Sequence, residues 1–338
     1  MSKKIISFAL AATLGLTATT AYADILSDVK AKGYLQCGVT GGVAGFSAPD
    51  SSNNWSGLEV DFCRAMAAAI FNDSEKVRYT PLTSQERFTA LSAGEIDILS
   101  RTTTWTMSRD TQLGINFVGT MFYDGQGFMV RKADGIASAK DLSGAAICIE
   151  SGTTTELNAA DYFAANGMEF NAVVFVDQDE VVKAYEDGRC DVYTTDSSAL
   201  ASERSKFANP DDHLILPEII SKEPLGPVVR QGDDLWFNIA RWTYFALLEA
   251  EELGVTQANV DEQLGSDNPA IKRLLGVEGD FGTPIGLTKD WAYQIVKHIG
   301  NYGESYERHV GPSTPIGLAR GLNALWRDGG IQYSPPIR

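Results

Sequence analysis

Apolar positions along this chain follow two alternating rhythms. Short apolar runs at 35–39, 77–80 and 96–99 read as strands, and apolar residues at helical spacing fill 60–71 and 85–93 between them. After residues 125–131 the alternation restarts, with strands at 146–149, 173–176 and 191–194 and helices at 154–166, 180–187 and 197–207. Strands alternating with helices predict parallel sheets joined by crossovers, an α/β fold. Two such units in series predict two lobes, 24–122 with 227–338 and 128–221. The Gly- and Pro-containing passages 123–127 and 222–226 would be the two strands of a hinge. From 233 onward the pattern is mainly helical, and a C-terminal extension of this kind would return to the first lobe before ending in an extended tail, 329–338.

The first residues carry a different signal. Lys3 and Lys4 precede an apolar run over 5–16, and Ala21 and Ala23 supply a small-x-small site. This predicts a cleavable export leader, residues 1–23, cut after Ala23. Its apolar run is too short to span a bilayer. No cysteine follows it directly, which argues against a lipid anchor, so a soluble exported protein is expected. The formal charge of −16 becomes −18 once Lys3 and Lys4 leave with the leader. So acidic a protein is a poor partner for nucleic acid or an anionic membrane surface.

Four cysteines remain, Cys37, Cys63, Cys148 and Cys190, in a compartment that permits disulfides. Their spacing is too wide for a redox or zinc motif, and three pairings are open. His213, His298 and His309 are scattered without a second ligand at metal spacing, so no metal and no cofactor is expected.

Three stretches carry candidate chemistry. The apolar residues Ile96, Ile98 and Leu99 run into hydroxyls at Thr102, Thr103, Thr104 and Thr106, and then reach Arg109. Hydroxyls and exposed N–H groups at a strand end, with a guanidinium nearby, suit the capture of a carboxylate. Residues 151–156 follow a strand and open a helix. They read either as a capping box, with Thr153 bonding forward and Glu156 back, or as an anion site at a helix N-terminus. Asp196 ends a strand and precedes a helix, so it reads either as an N-cap or as a carboxylate at the sheet edge where α/β folds bind ligands. An arginine in one lobe and an aspartate in the other would match the charged ends of a zwitterion.

These stretches resemble the periplasmic amino-acid-binding proteins of solute-binding family 3. Residues 57–66 (GLEVDFCRAM) resemble that family's signature near its first helix. Residues 102–109, 151–154 and 191–196 resemble its Thr-rich Arg motif, its Gly-Thr-Thr turn and its strand ending in aspartate. Residues 101–110 (RTTTWTMSRD), 124–128 (DGQGF) and 329–336 (GGIQYSPP) are similar to motifs of its general L-amino-acid-binding subgroup. The resemblance spans the whole mature chain and implies a two-lobe, Venus-flytrap fold in which a ligand closes the cleft. It implies that Arg109, Thr104 and Thr154 hold the ligand α-carboxylate, and Asp196 with Thr102 the α-ammonium. Thr102 departs from the glycine of many relatives, leaving less room there. Thr40, Val43, Ser84, Arg101 and Glu150 would face the ligand side chain. None of these is tuned to a single basic or aromatic ligand.

Lobe closure bears on the cysteines. A bridge between lobes would oppose opening, so Cys37–Cys63 and Cys148–Cys190 are the expected pairs. The function implied is the periplasmic binding component of an ABC importer for L-amino acids with polar, acidic or amide side chains. Its partners would be the amino acid and inner-membrane permease subunits, and it would be a monomer. The alternatives are a secreted enzyme on the same scaffold, dehydratase-like, or a chemosensory binding protein. No nucleophile–histidine pair or phosphate loop supports the enzyme.

Overall fold

A computed structural model describes residues 24–338; the expected leader, 1–23, and its cleavage site lie outside the described residues. Two five-stranded sheets form the two lobes. In the first, the strands run in the order Val77–Pro81, Leu35–Val39, Ile98–Leu99, Val228–Arg230 and Ile115–Phe117. In the second, the order is Asn171–Phe175, Ala146–Glu150, Val192–Asp196, Gln126–Arg131 and His213–Ile215.

Neither sheet is parallel throughout, and the reason is topological. Leu35–Val39 pairs in parallel with both its neighbours, as do the strands Asn171–Phe175, Ala146–Glu150 and Val192–Asp196 in sequence. A strand that enters a lobe from the hinge starts at the cleft edge and must run the other way. Val228–Arg230 and Gln126–Arg131 are accordingly antiparallel to their neighbours. Both parallel cores therefore aim their C-terminal ends at the cleft, which is where ligands bind in open α/β sheets.

The second-lobe strands bury both faces. Phe128, Val130, Ile147 and Ile149 face one apolar cluster, while Met129 and Cys148 face another. This is the period-two consequence of helices covering both sides of a sheet. In the first lobe the core continues into the C-terminal extension. Helices Asp234–Glu252 and Trp291–Ile299 pack on helix Leu58–Phe71, and Trp236, Leu247, Ile295 and Tyr302 join Phe62 and Met66 in one cluster. Buried Asp61 clamps the extension further, accepting from Ser305 Oγ at 2.6 Å and from Arg308 at 2.5 Å.

Between the lobes run two short antiparallel strands, Phe122–Asp124 and Glu223–Leu225, with Glu223 opposite Asp124. Only glycine fits at 226, because a Cβ there would lie 1.8 Å from the Gly119 carbonyl oxygen. The extension also grips this hinge. Asn323 accepts the Tyr123 N–H at 2.7 Å and donates to its carbonyl at 3.1 Å, while Tyr302 donates to the Met121 carbonyl at 2.8 Å. Disulfides join Cys37 to Cys63 and Cys148 to Cys190, one within each lobe.

Candidate ligand-binding site

The loop after Ile98–Leu99 carries the hydroxyls to the hinge. Trp105 N–H donates to the Pro224 carbonyl at 2.8 Å, and Gly226 N–H donates to the Thr103 carbonyl at 3.0 Å. Thr102 sits at φ 28°, a left-handed conformation that favours glycine. Its N–H donates to the carboxylate of Glu59, which holds that turn in place. Burial pushes Glu59 up to about 7, against the lowering effect of this hydrogen bond and of Arg101.

From the second lobe, the turn after Ala146–Glu150 leads into helix Thr154–Ala165. No capping box forms: Thr153 makes no side-chain cap bond, and its hydroxyl donates instead to the Glu150 carbonyl at 2.7 Å. Asp196 likewise leaves its helix uncapped by its side chain; Asp124 accepts the Ser198 N–H at 3.2 Å instead. The Asp196 carboxylate is therefore available to the cleft. It is 8% exposed. Burial, then Asp124 and Glu223, push its pKa well above the carboxylate range, with Arg87 and Arg109 opposing. Asp124 itself is pushed up to about 6, mainly by burial.

Facing loops line a narrow cavity of about 30 Å³ between the lobes. The first lobe contributes Val43, Ser84, Arg87, Arg101, Thr102 and Thr104; the second contributes Glu150, Thr154 and Asp196. A larger chamber of about 230 Å³, more open to solvent, adjoins it and is lined by Thr40, Gly41 and Gly42. Arg101 and Glu150 line both. The Thr40 hydroxyl donates to the Ser47 carbonyl at 3.0 Å, tying down its own loop. Polar contacts cross the cleft: Gln85 Nε2 donates to Ser151 Oγ at 2.8 Å, and Lys206 Nζ to the Gly42 carbonyl at 3.0 Å. Ser202 Oγ donates to the Ala44 carbonyl at 2.9 Å, and the Thr104 and Thr154 hydroxyls lie 3.4 Å apart. The lobes are closed on each other.

Arg109 lines neither chamber. One arm of its guanidinium donates to the Thr104 carbonyl at 3.0 Å, placing it behind that residue. The arginine that sequence reasoning missed is Arg87, 2% exposed and part of the cavity wall. Its signal was a charged residue sharing a helix face with Ala90 and Leu91, the buried residues three and four positions on. Among the described residues Arg87 Nε and Ser84 Oγ are buried without a hydrogen-bond partner, so this wall offers donors to a polar ligand. Glu223 was also missed. It accepts from Thr154 Oγ1 at 3.0 Å and Asn158 Nδ2 at 2.7 Å, coupling the hinge to the helix of the second lobe. Nothing in its Pro- and Gly-flanked segment marks it out in the sequence. Among the described residues no group of His, Cys, Asp and Glu is arranged to hold a metal.

Residues 35–253 match the family described as bacterial extracellular solute-binding proteins, family 3. The general L-amino acid-binding periplasmic protein AapJ of Rhizobium johnstonii is 61% identical over 100% of both chains. The glutamate/glutamine/aspartate/asparagine-binding protein BztA of Rhodobacter capsulatus is 53% identical, over 99% of this chain and 100% of that one. A solved ABC transporter periplasmic binding protein from Brucella ovis, with glutathione bound, superposes with a TM-score of 0.92. It is 60% identical, and the match covers 94% of this chain and 100% of that one.

Proposed function

The chain belongs to the bacterial extracellular solute-binding proteins, family 3, and on that premise we propose that it binds L-amino acids in the inter-lobe cleft. It then delivers them, as the binding component of an ABC importer, to permease subunits in the inner membrane. It works in the periplasm as a monomer, after removal of residues 1–23, and it is not an enzyme. The lobes are 24–122 with 227–338 and 128–221, and the hinge segments are 123–127 and 222–226. The observation that carries this reading is the opposition of Asp196, uncommitted to its helix, to a wall holding Arg87 and Arg101 in one closed cavity.

A zwitterion matches that polarity. Its ammonium lies toward Asp196 and the Thr102 backbone. Its carboxylate lies toward Thr104, Thr154 and the N–H groups that open helix Thr154–Ala165, with Arg109 behind and Arg87 beside them. Charge-assisted bonds of about 1.5–3 kcal/mol each in a desolvated cleft account for a micromolar affinity of about −8 kcal/mol. The side chain then points to Val43, Ser84, Arg101 and Glu150, with Thr40 further out. The outer chamber leaves space for a ligand longer than a single amino acid, which makes glutathione, held by the Brucella relative, a second ligand worth testing.

Titration calorimetry with L-glutamate, L-glutamine, L-asparagine, L-alanine and glutathione tests this reading, alongside chromatography of the recovered ligand. Micromolar or tighter binding with the ligand returned intact is expected. No binding across the panel, or recovery of a converted product, overturns it.

A further inference from the structure

At the side-chain end of the cavity two opposite charges from different lobes meet. Arg101 Nη2 lies 3.8 Å from Glu150 Oε1, with the two side chains 6% and 14% exposed. The two partners are held very differently. Arg101 is anchored to the first lobe: its Nε donates to the Leu82 carbonyl at 2.9 Å, and its own carbonyl accepts from Thr103 Oγ1 at 2.5 Å. Among the described residues the Glu150 carboxylate has no hydrogen bond, and Arg101 is its ion-pair partner. Both residues border the inner cavity and the outer chamber. The pair is thus a partition with one fixed and one movable member.

We infer that this partition is an amphoteric selector that lets one cleft take acidic, neutral and basic amino acids. An acidic ligand side chain replaces Glu150 on the fixed Arg101 guanidinium, and the Glu150 carboxylate turns into the solvent-open outer chamber. A basic side chain instead shares the Glu150 carboxylate with Arg101, whose Nε keeps the Leu82 carbonyl. A neutral side chain leaves the pair joined and meets no unpaired charge. Each case keeps buried charges paired, which is the condition for burying them at all. The outer chamber biases the exchange, since Glu86, Asp177 and Asp179 line it and repel a carboxylate turned outward. This inference rests on the reading that an amino acid occupies the inner cavity.

The test measures dissociation constants for L-glutamate, L-alanine and L-arginine with wild type, Glu150→Gln and Glu150→Ala. Wild type is expected to bind all three. In both variants glutamate should bind about tenfold tighter and arginine about tenfold weaker, with alanine changed less than threefold. Equal changes for the three ligands would make the pair a latch between lobes and overturn the selector. So would a wild type that binds alanine but rejects either charged ligand by more than about a hundredfold. A wild type that binds none of the three refutes instead the amino-acid reading on which the inference stands.

Discussion

Asp196 lies in a group of carboxylates with Asp124 and Glu223, and burial disfavours charging all of them together. An incoming ammonium would relieve that repulsion and draw the proton off Asp196, which burial and its neighbours hold well above the usual carboxylate range, so binding should release protons and weaken as pH falls. Asp196→Asn should therefore cost L-glutamate far more affinity than 2-oxoglutarate, several kcal/mol against little. Its melting temperature should hardly move, because the side chain caps nothing. Matched calorimetric titrations check this; equal losses would reject the ammonium role. Glu59 gives a separate pH effect on stability. Its pKa is raised from 4.5 to about 7, so the folded state keeps a proton that the unfolded chain has already lost. Its contribution is complete below 4.5 and is lost as pH rises toward 7, by about 3 kcal/mol in all. Urea denaturation at pH 5 and pH 8 should show that fall, and Glu59→Gln should flatten it. At this scale Asp196 and Thr154 were legible because one ends a strand and the other opens a helix at the cleft edge, and Thr104 because it lies in the hydroxyl-rich loop that follows a buried strand. Arg87, Asp124 and Glu223 were not, since their roles depend on elements far apart in sequence.

Hinge strands of three residues give no periodicity to read, and neither does Val228–Arg230, which completes the first sheet. The helices and parallel strands were legible because their apolar faces repeat over many residues. Several boundaries moved by two residues; helix 178–186, for instance, begins at Gln178, where Asp177 caps it. The grip of Asn323 on Tyr123 is likewise invisible in sequence, with some two hundred positions between them. Asn323→Ala should leave the Tyr123 amide without its partner and lower stability by about 1–3 kcal/mol. Thermal melting measures that loss, and hydrogen exchange should show the Tyr123 amide opening more readily. Unchanged exchange at Tyr123 would mean that the extension does not control the hinge.

Each lobe carries its own disulfide, and neither bridge crosses the cleft, so the covalent staples stabilise the halves without restraining their relative motion. The Cys148–Cys190 loop, with a sequence separation of 42, should contribute about 4 kcal/mol in the chain-entropy account. Replacing both cysteines by alanine should lower the denaturation midpoint while amino-acid affinity stays within about threefold, because the bridge lies in the second-lobe core rather than the cleft. A large loss of affinity at full folding would show that the bridge shapes the site.

The position of Val228–Arg230 has a consequence for biogenesis. This strand stands between Ile98–Leu99 and Ile115–Phe117, and the helices that cover the first-lobe core come later still. A chain synthesised from its N-terminus therefore produces four of the five first-lobe strands long before the strand and helices that finish the lobe. The second lobe, Gln126–Arg131 through His213–Ile215, has every strand of its sheet within one continuous stretch and can close first. Until the last hundred residues arrive, the first-lobe strands have an open gap where their antiparallel neighbour belongs, a template for mispairing. The lobe whose first strand is made earliest is therefore the one whose sheet is completed last.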